Sequence, residues 1–286
     1  MDTEFARTFL AVAAAGNFNA AAERLHITQS TVSARIRTLE NQLGVNLFLR
    51  GRSGAQLTAA GRRFLRHAKT LVRTLEQARH ELGLPSGYCG GITLSARIAL
   101  WEEFLPRWVD WMRASIPDVS LRLEIGFEED IMQGLVQGIL DIGLMYTPES
   151  RPGMAVEHLF DEVLVLVGTH PHRPWPDPDY IHVDWGPEFQ AQFGARFPDQ
   201  DTSAQAVNIG WLALQLILRR GGSAYLPLRM VHAYLGQGRL WREHDIPLIR
   251  LPVYMVYPLD RKEPYLAQAV DGLRSLGGQE KQRQDG

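Results

Sequence analysis

Residues 28–43 read TQSTVSARIRTLENQL, and this stretch decides how the N-terminal part of the chain folds and what it meets. Val32, Ile36, Leu39 and Leu43 recur at spacings of four, three and four, so a helix here carries one apolar face. Thr28 is its natural N-cap, and Gly44 ends it. Gln29, Ser30 and Ser33 sit on the first turns, off the Val32/Ile36/Leu39 face, with Arg35 and Arg37 following. A helix that only packs on a core has no use for such an opening. The polar start asks for a partner.

The flanking sequence supplies the context. Glu4–Ala14 has Phe5, Phe9, Leu10 and Val12 near 3.6 periodicity and predicts a helix that Gly16-Asn17 breaks. Asn19 is positioned to cap a second helix, Ala20–Leu25, whose three alanines permit close approach of another helix. After the stretch, VNLFLRGRSGAQLT places two apolar segments around a Gly/Ser tip, the pattern of a small hairpin. Helix, short turn, helix, then hairpin is the layout of a winged helix-turn-helix, whose second helix puts its N-terminal residues against base edges in the major groove. Gln29 can pair bidentately with adenine, and the hydroxyls of Ser30 and Ser33 can serve bases or phosphates. Arg35 and Arg37, with Arg50 and Arg52 on the hairpin, offer charge-assisted bonds to phosphate. Thr28 caps the helix, and the N-terminus it caps can itself face a phosphate. The plain alternative is a capped surface helix with solvated polar residues.

Charge agrees with a polyanionic partner for this part alone. Residues 1–82 hold 12 Lys+Arg against 6 Asp+Glu, whereas the remainder holds 18 against 26. A helix from Thr58 to about Leu82 carries Phe64, Ala68, Leu71, Leu75, Ala78 and Leu82 at alternating spacings of four and three. At about 1.5 Å per residue it spans roughly 37 Å. Either it lies on its own domain or it is a dimerisation rod, and the break at GLPSGYCGG favours a rod followed by a linker.

From Gly91 strands and helices alternate. ITLSA, VSLRLEIGF, LDIGLMY, EVLVLVG, YIHVDW, AQAVNIG, SAYLP and LPVYMVY read as strands. Helices are expected over ALWEEFLPRWVDWMRAS, interrupted near Pro106, over EEDIMQGLVQGI, near Gly186–Phe197, over Trp211–Arg220 and over Pro264–Leu276, with Gln279–Gly286 frayed. This order implies βαβ units and a parallel sheet. Ligands of such sheets lie beyond the strand C-terminal ends, which here carry Ser95, Arg97, Phe127, Tyr146, Trp185 and Asn208. Ser95 and Arg97 precede a helix start and suit a carboxylate or other anion, and the aromatics suit an apolar wall. Arg97 has a second reading, an ion pair with an acidic neighbour such as Asp184, and the aromatics have theirs as core or rim.

The 286 residues suggest about two or three packing units. Cys89 is the only cysteine, which rules out an internal disulfide and a cysteine-built metal site and fits a reducing cytoplasm. The acidic start MDTEFARTFL is unlike a signal peptide, and no apolar run approaches the roughly 20 residues of a membrane span. The chain is therefore expected in the cytoplasm. No G-x-S-x-G, H-E-x-x-H, Walker or Rossmann fingerprint occurs, so neither an enzyme nor a bound cofactor or metal is expected.

The residues FNAAAERLHITQSTVSARIRTLENQLGVNLFLR…LTAAGRRFL closely resemble the N-terminal domain of LysR-type transcriptional regulators over about 60 residues, with the AAE, TQS-x-VS, LE, LG-V-x-LF and LT-x-AG elements in order. The resemblance implies an N-terminal all-α winged helix-turn-helix with a linker helix. It also implies a C-terminal α/β effector domain of two lobes, similar to periplasmic binding proteins, with a small molecule in the cleft, which the residues named above would suit to an anionic or aromatic one. On that pattern residues 1–58 are the DNA-binding domain, 59–90 the linker and dimerisation helix with its hinge, and 91–286 the effector domain. Its lobes would cover about 91–161 with 262–286, and about 162–261. The chain would cross between them near Phe160–Glu162 and Pro258–Arg261. Gln29, Ser30 and Ser33 match the family's recognition positions and Arg50 its wing arginine. Ala34 departs from the arginine common there, which leaves the operator sequence open. The partners implied are double-stranded DNA and a second or further copies of the chain, as a homodimer or homotetramer. MDTE…TFL, RIRTLENQLGVNLF, LWE and DWGPEFQ point to one branch of the family. The rival readings are a DNA binder without a ligand, whether regulator or architectural protein, and a solute-binding protein.

Overall fold

The computed structural model describes residues 3–51, 54–81, 87–171, 175–198 and 204–285. The chain divides into two compact units, Met1–Leu94 with Asp118–Leu123 and Glu129–Asp141, and Ser95–Pro117 with Glu124–Glu128 and Ile142–Gly286.

The first unit opens with helices α1 (Thr3–Ala15), α2 (Phe18–Leu25) and α3 (Gln29–Leu43), the hairpin β1 (Phe48–Gly51) and β2 (Gly54–Leu57), and helix α4 (Ala59–Glu81). Phe9, Leu10, Val12, Ala21, Ala22, Val32, Ile36, Leu39, Leu47 and Phe48 are buried together and form their core. Phe9 meets Phe48 and Phe64 at ring-centroid distances of 5.2 and 5.0 Å. Phe64 on α4 thus packs on α1.

Sequence and structure differ here at two points. Asn17, not Asn19, caps α2: it is extended, and its side chain accepts the Ala20 N–H at 2.7 Å, which leaves Asn19 inside the first turn. The apolar stripe of α3 ends at Leu39, because Leu43 is 38% exposed in the last turn.

Two glycines are dictated by close approach. A Cβ on Gly61 would lie 2.2 Å from the Leu47 carbonyl oxygen, so α4 can seat against the hairpin base only with glycine there. Gly54 has φ +107, and a Cβ on it would meet the Gly16 oxygen at 2.5 Å. Thr58 joins the two parts: its hydroxyl donates to Asn46 O at 2.8 Å and accepts the Gly61 N–H at 2.9 Å. Along α4, Ala68 and Val72 are buried in the core and the half-buried Phe64 packs against it, so the first half of the expected rod lies on its own domain. Leu71, Leu75 and Ala78 are exposed or half-buried, and Leu82 falls outside the described residues.

The rest of the chain runs β3 (Gly90–Ala96), a 3₁₀ turn (Ile98–Trp101), α5 (Phe104–Ser115), β4 (Val119–Ile125), α6 (Glu128–Gln137), β5 (Ile142–Met145) and β6 (Met154–Gly168). It continues through β7 (Ile181–Val183), α7 (Pro187–Arg196), β8 (Gln205–Val207), α8 (Gly210–Arg220), β9 (Ser223–Pro227), α9 (Leu228–Gly236), β10 (Trp241–Arg242), β11 (Ile249–Pro258) and α10 (Pro264–Asp285).

The strands from β3 onward form a sheet ordered β10-β6-β11-β5-β3-β4, with β9 also on β6, and a separate parallel pair β7-β8. The sheet is not the all-parallel one expected. β6 and β11 are long antiparallel partners from Met154↔Pro258 to Leu164↔Ile249, with a register shift at Val253/Tyr254. β5 pairs with β11 at one end of this ribbon, and β9 and β10 pair with β6 at the other. Strand-helix alternation predicts parallel neighbours, whereas β11 pairs antiparallel with β5 and β6, and β6 with β9 and β10 as well. Phe160–Glu162 lies mid-ribbon opposite Leu251–Val253.

Other corrections have local causes. The helix expected around Pro106 breaks earlier, where Glu103 adopts φ 65 between the 3₁₀ turn and α5, and Pro106 fits in the first turn of α5. α10 does not fray at Gln279 but continues to Asp285, because Glu280 is buried and ion-paired to Arg107 and Arg229. α9 was missed in sequence: its nine residues follow Pro227 directly at the end of β9, although Leu228, Val231 and Leu235 stand at helical spacing.

Candidate nucleic-acid interface and ligand site

Thr28 closes the N-terminus of α3 with φ −77 and ψ 152, its hydroxyl oxygen 3.2 Å from the Thr31 N–H it accepts. The same hydroxyl lies 2.8 Å from those of Ser30 and Thr31. Gln29 donates from Nε2 to the Ser33 hydroxyl at 3.0 Å, which orients the amide and leaves its carbonyl oxygen and second N–H for an outside partner. Thr28, Gln29, Ser30, Ala34 and Arg37 are exposed. Thr38 and Asn41 continue the outward face, a continuation that extending the four-residue spacing from Ser30 and Ala34 to Thr38, and from Arg37 to Asn41, would have found.

Arg35 is the exception among the expected phosphate ligands. Its Nη1 donates to Glu4 at 3.0 Å and to the Thr8 hydroxyl at 3.3 Å, so it fastens α3 to α1. Arg50 stands in β1 opposite Ala55, its side chain outside the described set, and Arg52 lies outside the described residues.

The second group of expected residues falls within the second unit. Ser95 and Arg97 are buried at the end of β3, and the Arg97 N–H donates to Leu144 O at 3.1 Å, tying that end to β5. The Arg97 guanidinium takes Glu128 at 3.1 Å, not Asp184, and lies 4.7 Å from the Phe127 ring centroid. Asp184 instead accepts the Gly186 N–H. Arg97 Nε is buried without a hydrogen-bond partner, as is the Tyr146 hydroxyl. Tyr146 meets Trp185 edge to face at 6.1 Å, and burial pushes its phenol well above the ordinary value. Trp185 is itself core: its indole N–H donates to Tyr225 O at 3.0 Å, and a Cβ on Gly210 would strike its ring at 2.3 Å. Phe127 and Asn208 are exposed. The structure thus groups Arg97 with Phe127 and Tyr146 with Trp185.

A buried ion-pair cluster escaped sequence reading. Arg229 on α9 donates from Nε to Glu162 at 2.9 Å and lies 3.5 Å from Glu280, which also holds Arg107. The Arg229 guanidinium rests 5.0 Å from the Phe160 ring centroid. Burial raises the Glu162 carboxyl above its usual range, and its second oxygen has no partner. Burial alone would lower Arg229, but the facing Glu162 carboxylate more than reverses that, so its direction is up. The available signal was a carboxylate at the head of the apolar run EVLVLVG.

A capped helix with an outward polar face beside a two-stranded hairpin, followed by a mixed α/β domain, defines a winged helix-turn-helix DNA-binding regulator with a ligand-type domain. The chain belongs to the LysR family: the profile described as bacterial regulatory helix-turn-helix protein, lysR family, matches residues 4–62, and that of the LysR substrate binding domain matches 85–275. The branch indicated by the quoted stretches is that of the HTH-type transcriptional regulator HdfR. The chain is 32% identical to HdfR of Salmonella schwarzengrund (strain CVM19633) over 260 residues, covering 90% of this chain and 92% of that one. Against HdfR of Yersinia enterocolitica serotype O:8 / biotype 1B it is 32% identical over 269 residues, 90% of each chain. In fold it is similar to full-length LysG from Corynebacterium glutamicum with bound effector Arg, with a TM-score of 0.59, 20% identity and coverage of 98% and 99%. It is also similar to Vibrio fischeri DarR in complex with DNA, with a TM-score of 0.57, 22% identity and coverage of 96% and 99%. The protein is a LysR-type DNA-binding transcriptional regulator with an effector-binding domain, and its relatives are regulators rather than enzymes.

Proposed function

We propose that the protein binds an interrupted dyad in double-stranded DNA in the cytoplasm as a homodimer or homotetramer joined through α4, and that a small molecule at its effector domain alters that binding. Residues 1–58 make the DNA contact, 59–90 the linker, and 91–286 the effector domain, with lobes about 91–161 with 262–286 and about 162–261. The observation that carries the reading is the outward face at the start of α3. Gln29, Ser30 and Ser33 serve base edges there, Thr28 presents the helix N-terminus, and Arg37 serves phosphate, with Arg50 and Arg52 on the wing. Among the described residues no helix is long and apolar enough to cross a membrane. The exposed and half-buried Leu71, Leu75 and Ala78 support a paired α4.

The ligand would sit against Ser95, Arg97, Phe127, Tyr146, Trp185 and Asn208. The unpartnered Arg97 Nε and Tyr146 hydroxyl are donors that an anionic ligand would satisfy. A second reading, a regulator that works without ligand, draws support from the Arg97–Glu128 ion pair, which already neutralises the arginine. Selection of duplexes from a random library, followed by calorimetry against a metabolite panel with Arg97→Ala as control, separates the two. Heat from an anion that vanishes in the variant supports the first; none from any anion supports the second.

A further inference from the structure

We infer that Glu40 is the positioning residue that fixes the wing to the recognition helix, so that the two meet DNA as one rigid unit. Glu40 projects from the C-terminal third of α3, and its Oε1 accepts the Leu47 N–H at 2.7 Å and the Phe48 N–H at 3.2 Å. These are the two amides at which the chain, after Gly44 in the left-handed conformation, enters β1. Leu47 stands just before the hairpin register, which begins at Phe48↔Leu57, and its carbonyl accepts the Thr58 N–H at 2.9 Å. The Leu47 and Phe48 side chains are buried, so water is a poor substitute acceptor and two stranded donors would be costly. An ionised oxygen that takes two N–H groups makes stronger bonds than a neutral one.

The consequence is geometric. Arg50 is two residues beyond Phe48 on the same strand, so the carboxylate on the reading helix sets where the wing begins. The opposite strand is held separately, since the Ala55 N–H donates to Gly16 O at 2.7 Å in the turn between α1 and α2. Loss of Glu40 would therefore release the start of β1 from α3 while the Ala55 anchor stays in place.

The inference rests on the wing acting as a phosphate contact, and the test separates the two. The probe is a duplex recovered by the unaltered full-length protein from a random library, titrated by fluorescence anisotropy over a range of salt. Glu40→Ala should weaken binding about tenfold near 0.15 M salt and flatten the dependence of log K on log salt by roughly one contact. Glu40→Gln, which keeps an oxygen acceptor, should recover most of the loss. Combined with Arg50→Ala, Glu40→Ala should add little. A normal salt slope in Glu40→Ala, a Glu40→Gln variant as weak as the alanine, or full additivity with Arg50→Ala would overturn the assignment of Glu40 alone. No effect of Arg50→Ala on binding would instead overturn the wing reading, and this inference with it.

Discussion

Replacing Arg229 with methionine leaves the buried Glu162 carboxylate without its guanidinium. The substitution itself is accommodated, since methionine can fill the space against Phe104 and Phe160 that the arginine now occupies. Glu280 keeps Arg107, so the cost arises chiefly at Glu162, which is 1% exposed and already has one oxygen without a partner. Breaking a buried pair by removing one member costs about 3–5 kcal/mol. For a domain of this size that lowers the thermal midpoint by roughly 10 °C.

The pH dependence has a definite sign. Burial already holds the Glu162 carboxyl above its reference value of 4.5, so the folded state takes up a proton more readily than the unfolded state. The stability linked to that proton is present at low pH and is lost as pH rises through the folded value. Without Arg229 the folded value climbs further, so the deficit should widen from pH 5 to pH 8. Urea unfolding of the full chain at both pH values reads this directly. Adding Glu162→Leu should return stability to within about 1 kcal/mol of the unaltered protein, because an apolar pair replaces the ionic one. A deficit below about 1 kcal/mol at pH 8, or one that does not change with pH, would refute the assignment of an ionised, Arg229-dependent Glu162.

Three further outcomes follow from the DNA-binding part. Gln29→Ala should weaken binding to selected duplex by about 1–3 kcal/mol and relax base choice at one position, read by repeating the library selection with the variant. Arg50→Ala should weaken binding to all duplexes alike and flatten the salt slope by about 0.9, read by anisotropy on selected and mixed-sequence DNA. Gly61→Ala should destabilise the N-terminal domain by about 1–3 kcal/mol, because its methyl would meet the Leu47 carbonyl, and a thermal melt of the variant measures it.

The N-terminal fold was legible because its signals are local. The Val32/Ile36/Leu39 spacing, the Thr28 cap and the Gly44 stop each depend on residues within one or two turns, and all three stand in the structure. Asn17 and Asn19 show the limit of such reading, since both are good caps two residues apart and only the backbone after Gly16 chooses between them. Arg35 shows another: its charge suits phosphate, but its position on α3 turns it toward Glu4, a residue 31 positions earlier.

Long-range arrangement was not legible in the α/β part. The antiparallel β6–β11 ribbon joins Met154–Leu164 to Ile249–Pro258, a pairing that local alternation does not encode. The ion-pair cluster is likewise built from β6, α9, α10 and α5, each contributing one charge that looks solvated in its own segment. Gln279–Gly286 read as a frayed tail for the same reason, because the partners of Glu280 are 173 and 51 residues away.

Footprinting of the purified full-length chain on library-selected duplex, at rising salt, tests the role of the α3 N-terminus most directly. Two protected major-groove segments should appear, related by a dyad and spaced by about 10–10.5 base pairs or a multiple, and they should fade as salt increases. A uniform footprint without half-sites, or no protection of duplex DNA in dilute salt, would contradict it.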